Sequence, residues 1–162
     1  MYLLRSDTEQ SSRQLDFKGN SYIGGLTIAS YIDQPGLVLE KGDGKIHEAK
    51  YHKWAEPLRV SLREYLSTEL SAQLGYDVPP YKPSDETSQR IDISINKLHG
   101  DDSGNAVLLA YWSITGPEGT NTYQYSNTLA LQADGYDALV AAEKNLLQQL
   151  AIAMAQIITK AN

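Results

Sequence analysis

The stretch from Arg90 to Leu131 constrains the fold more than any other. "RIDISINKLH" alternates Ile91, Ile93 and Ile95 with Asp92, Ser94 and Asn96. "AVLLAYWSIT" is apolar on both faces, and "TNTYQYSNTLAL" puts Tyr123, Tyr125, Asn127, Leu129 and Leu131 in alternation. A strand turns successive side chains to opposite faces, so a period of two predicts three strands. The links "GDDSGN" and "GPEG" are short and rich in turn residues, which makes the three a meander. The apolar middle run belongs at the centre of the sheet.

Upstream, "YLLRS" (Tyr2 to Ser6) predicts a short first strand, and the polar "DTEQSSRQLDFKGN" after it a loop. "SYIGGLTIASYI" predicts a strand that includes Tyr31 and Ile32, with a bulge or close backbone approach at Gly24-Gly25. "DQPG" is a turn, and "LVLEK-GDG-KIHEAKY" two strands around a tight Asp-Gly hairpin. From Pro57 to Gly75 the period becomes helical: Leu58, Leu62, Tyr65, Leu66, Leu70 and Leu74 share a face, and Gly75 is a natural stop. The proline-rich "YDVPPYKPSDETSQ" is a connection. A second long helix runs from Asp134 to Lys160, with Leu139, Leu146, Leu147, Leu150, Met154, Ile157 and Ile158 as its apolar face. The expected architecture is one α/β domain over residues 1–162: a mixed, largely antiparallel sheet of five or six strands packed with two long helices.

Net charge is −6 and Lys and Arg form no run, which argues against nucleic acid and, for the same reason, against an anionic membrane surface. Cysteine is absent, which removes disulfides, thiolate chemistry and cysteine metal sites. Nucleophile elbows, paired metal histidines and dinucleotide or phosphate loops are also missing. "GDGK" is a hairpin turn, "DDSGN" a solvated tip, and His47, His52 and His99 read as surface histidines. Neither a catalytic residue nor a cofactor or metal site is expected. Tyr123 and Tyr125 share a strand face with few aliphatics and form a candidate interaction surface.

The remaining feature is "KYHKWAEPLRVSLREYLSTEL", where Trp54 and Glu56 precede Pro57 at the mouth of a helix. Pro57 suits the first helical turn, where its missing N–H has no partner to lose. Glu56 complements the positive end of the helix dipole, and Trp54 is placed to pack back onto Leu58 or Leu62 as a hydrophobic staple.

With "YIDQPGLVLE", "RIDISINKL" and "AVLLAYWSITG", this stretch resembles the ABC-type transport auxiliary lipoproteins of Gram-negative bacteria, the PqiC/YmbA-like group. Tyr31, Asp33, Pro35, Trp54, Glu56, Pro57, Leu58 and Trp112 occupy the positions of the family pattern. The resemblance implies a fold similar to the anticodon-binding-like layers of the TolB N-terminal domain. It implies an outer-membrane lipoprotein facing the periplasm and held by an acylated N-terminal Cys, so this Cys-free chain fits one cut just after its anchor. It further implies a PqiB-like "mammalian cell entry" domain partner, assembly as a homo-oligomer and service in lipid transport, with no catalytic residues. An alternative expectation, motivated by the Tyr-rich strands and Gly24-Gly25, is a module that itself binds lipid or another apolar ligand.

Overall fold

The computed structural model describes residues 1–7, 14–15, 21–83 and 88–161. Most of the polar loop after Asp7 and the middle of the proline-rich connection lie outside the described residues. The elements run β1 (Ser21–Ile28), β2 (Gly36–Glu40), β3 (Ile46–Lys53), α1 (Leu58–Leu74), β4 (Gln89–Asp101), β5 (Asn105–Gly116), β6 (Gly119–Ala130) and α2 (Tyr136–Ala161).

All six strands form one sheet in the order β3-β2-β4-β5-β6, with β1 also on β4. The long β4 takes two parallel neighbours along one side. β1 pairs with its first half, from Ser21 opposite Gln89 to Ile28 opposite Ile95, and β2 with its end, Leu39 opposite Gly100. The other pairings are antiparallel, and β4-β5-β6 is the meander expected. The mixed, largely antiparallel sheet with two long helices is therefore present.

Both helices pack on one face of the sheet and against each other. Ile91, Ile93 and Ile95 of β4 and Leu108, Ala110 and Trp112 of β5 meet Leu62, Leu66 and Leu70 of α1 and Leu146, Leu150 and Met154 of α2 in one buried cluster. Gly75 ends α1 in the left-handed conformation (φ 79°), its N–H donating to the Ser71 carbonyl. Pro57 is the N-cap, one residue outside the first turn where the sequence placed it, and its carbonyl accepts from Val60 and Ser61.

Among the described residues, no helix lies on the other face of the sheet. β5 is central by pairing, yet only alternate residues are buried, and Tyr111 stands out on the open side at 37% exposure. Apolar content on both faces thus marked a strand half covered, because both helices went to the same side. Three further expectations are corrected. β1 ends at Ile28, and Tyr31 and Ile32 lie in a turn whose Ile32 and Asp33 N–H groups return to the Ala29 carbonyl. "YLLRS" makes a single bridge, Tyr2 beside Trp54, and not a strand. His99 is fully buried and not on the surface, with Nδ1 2.9 Å from the Gly100 carbonyl and Nε2 3.6 Å from Glu40.

The bulge at Gly24-Gly25 is real: the β1–β4 register shifts between Ile23 and Leu26. The Gly25 N–H donates to Asp92 Oδ1 at 2.7 Å, and Arg63 of α1 donates to the Gly24 and Pro80 carbonyls at 2.8 and 2.7 Å. The space beside these glycines is filled by Arg90 and Asp92.

Candidate functional site

Two separated stretches, "DQPG" and "WAEPL", close on one another at the entrance of α1. The Trp54 N–H donates to the Pro35 carbonyl at 2.8 Å, which stitches the turn after β1 to the end of β3. Asp33 Oδ2 takes Arg59 Nη2 at 2.9 Å, fixing the same turn to the first turn of α1. Between them lies a cleft of about 370 Å³ lined by Asp33, Gln34, Pro35, Trp54, Glu56, Pro57 and Leu58. Its floor is apolar, because Trp54 and Leu58 are buried, while Gln34, Pro35 and Pro57 are exposed at the rim.

Glu56 forms the carboxylate wall. Oε1 accepts from Ser61 Oγ at 2.6 Å and pairs with Arg5. The Ser61 hydrogen bond, aided by the Arg5 charge against a smaller burial penalty, holds this carboxyl below the ordinary carboxylate range. Asp33 and Glu56 are thus each occupied by an arginine, which leaves a rim of two prolines and paired charges.

Six of the eight motif residues gather here: Asp33, Pro35, Trp54, Glu56, Pro57 and Leu58. Tyr31 lies apart, on the side of the sheet away from the helices, its OH donating to the Asn96 carbonyl at 3.0 Å and its ring 5.8 Å from His99. Burial, with the Glu40 charge, pushes its phenol pKa up. Trp112 is a core residue of β5, stacked on Tyr123 at 4.5 Å. Tyr123 and Tyr125 are half-buried on the helix-facing side of β6, and Asn127 links Tyr125 to Gln149 of α2.

Sequence reasoning missed a strap formed by the first residues. Tyr2 exchanges backbone hydrogen bonds with Lys53 and Ala55, and its OH donates to Asp137 at 2.6 Å and lies 3.2 Å from His52 Nδ1. His52 stacks on Tyr136 at 4.2 Å. Leu4 is fully buried, and Ser6 Oγ donates to Glu69 at 2.5 Å. The apolar "YLL" was the only signal. A larger cleft of about 620 Å³, beside α1 and α2, is lined by Asp7, Tyr65, Glu69, Asp137 and Lys144 among others. Among the described residues no group of His, Asp and Glu is arranged to hold a metal ion, and no helix is long and apolar enough to cross a membrane.

The model of the family described as ABC-type transport auxiliary lipoprotein component matches residues 2–155. The chain belongs to this family. It is 24% identical over 160 residues to the intermembrane transport lipoprotein PqiC of Escherichia coli K12, covering 98% of this chain and 83% of the relative. The PqiC of Shigella flexneri matches to the same extent. Two crystal structures share the fold: an uncharacterized protein at TM-score 0.82 and 24% identity, covering 90% of this chain and 96% of that one, and a Xanthomonas campestris protein at 0.66 and 13%, covering 94% and 91%. The family is one of transport accessories, and as a lipoprotein family it sets the chain in the membrane-associated envelope.

Proposed function

We propose that this chain is a non-enzymatic outer-membrane lipoprotein subunit of an envelope-spanning lipid-transport system. In this reading it docks a periplasmic, PqiB-like mammalian-cell-entry domain protein and is itself held to the outer membrane by an N-terminal lipid anchor. The observation that carries the docking role is the cleft at the α1 entrance, assembled from six residues of the family pattern around a buried Trp54. Its preformed floor, pinned turn and neutralised charges lower the ordering cost of taking a partner's side chains.

The test is co-elution with the periplasmic domain of a mammalian-cell-entry protein from the same organism. Gln34→Trp at the exposed rim fills the cleft without touching the core, and weakens the complex about tenfold or more. Wild-type chain that never co-elutes overturns the docking role; complexes indifferent to Gln34→Trp move docking elsewhere, with Tyr123 and Tyr125 next to be changed. Self-association belongs to the same proposal. β6 is a twelve-residue edge strand whose only strand partner among the described residues is β5, and it has no charged residue to deter a second copy. Light scattering of the purified chain reads the outcome, a monomer at all concentrations refuting it.

A further inference from the structure

The strap has a second consequence. Tyr2 is bridged to Trp54 in parallel register, so Met1 lies beside Lys53 and Leu3 beside Ala55. Alternation then divides this edge in two. Tyr2, His52 and Trp54 turn inward, toward α2 and the core, while Met1, Leu3, Tyr51, Lys53 and Ala55 share the outward side. Met1 is 91% exposed, Tyr51 80% and Leu3 53%, which puts three of the large exposed apolar side chains of the described residues along one stripe.

Two lysines stand with this apolar stripe. Lys53 lies within it, and Lys50 Nζ sits 5.4 Å from the Tyr51 ring centroid. Three nearby carboxylates are engaged elsewhere: Glu48 accepts from the Gly36 N–H, Glu56 from Ser61 and Arg5, and Asp137 from Tyr2. In a chain of net charge −6, this edge sets two lysines beside an apolar centre. Aliphatic side chains, a tyrosine with its polar tip and lysines able to reach outward match the layered chemistry of a bilayer surface, where apolar atoms meet acyl chains and ammonium groups meet phosphates.

We propose that this stripe rests on the phospholipid headgroup layer and orients the domain on its membrane. The proposal rests on the membrane attachment put forward above, but its test needs no anchor. The purified chain is sedimented with vesicles of phosphatidylethanolamine and phosphatidylglycerol, and with vesicles of phosphatidylcholine alone. Binding is expected to the first, weaker to the second, and to fall as salt is raised. The double variant Lys50→Glu/Lys53→Glu, at exposed positions, loses about tenfold or more of the binding while its circular dichroism stays that of the parent. Tyr51→Ser loses binding to a smaller extent and keeps the salt dependence. Wild-type chain that does not sediment with phosphatidylglycerol vesicles, or a double variant that sediments equally, overturns the proposal. So does a double variant that keeps vesicle binding but loses co-elution with the mammalian-cell-entry domain, which would make the stripe a protein interface. Failure of the anchor reading alone appears differently, as unacylated protein in fractionated cells with vesicle binding intact.

Discussion

Glu143 stands on α2 between Leu139 and Leu146, fully buried, and its Oε2 has no hydrogen-bond partner. Burial alone raises its pKa well above the ordinary carboxyl value. The folded chain therefore holds this proton more tightly than the unfolded chain does. Stability is lost as pH rises above the unfolded value of about 4.3, and goes on falling until the folded pKa is passed. Glu143→Leu removes the buried polar group and is expected to stabilise at neutral pH by about 1–3 kcal/mol, with little gain at pH 4. Denaturant melts at the two pH values measure it; an equal gain at both would separate the effect from titration. Trp54 is the opposite case, a buried side chain whose truncation to Ala costs about 3–5 kcal/mol, visible as a lowered thermal midpoint. At this scale the motif residues were readable as a helix entrance. That Asp33 would reach Arg59, or Glu56 reach Arg5, was not, since neither partner is set by spacing along the chain.

Elements whose identity rests on period were legible. α1 buries Leu58, Leu62, Tyr65, Leu66 and Leu70, five of the six residues named for its face, and β4, β5 and β6 fall where alternation put them. The turn at Tyr31-Ile32 failed because β-branched and aromatic residues favour strands locally, while here the chain curls back to the Ala29 carbonyl. His99 failed for another reason: the bulge between Ile95 and Lys97 turns it to the side away from the helices, where the Tyr31 ring, brought over by the same unforeseen turn, covers it. Two glycines separate tight packing from mere proximity. A Cβ on Gly36 would come within 2.3 Å of the Ala49 carbonyl oxygen, whereas on Gly24 it would meet the flexible Arg90 side chain. Gly36→Ala is expected to cost about 1–3 kcal/mol and Gly24→Ala clearly less. Equilibrium urea unfolding of both variants ranks them, and the reverse order would show that β3 moves more easily than the Arg90 side chain.

Across the whole molecule, one face of the sheet is built into a core and the other is left open, with β3 and β6 at the two ends of the strand order. The apolar faces of the two helices were visible in the sequence, but not that both would take the same side of the sheet, since an apolar β5 pointed to cover on both. The strap was not visible either, because its contacts join residues at opposite ends of the chain, Tyr2 with Asp137 among them. Leu4→Ala tests whether those first residues belong to the fold or only lie on it. Full burial predicts a loss of about 2–5 kcal/mol in a calorimetric or chemical melt, and a change within error would mean that the strap is an ornament.

A body strapped in this way takes a load on its strap straight into the fold. A pull on Met1 enters the fold at Tyr2, where it meets two backbone hydrogen bonds to β3 and its flank, and then a side chain sunk in the core at Leu4. Such a load is shared in shear between the strap and β3 and does not peel the sheet open one rung at a time. The cleft at Trp54, on the residue bridged to Tyr2, then sits close to the point where such a load enters the domain.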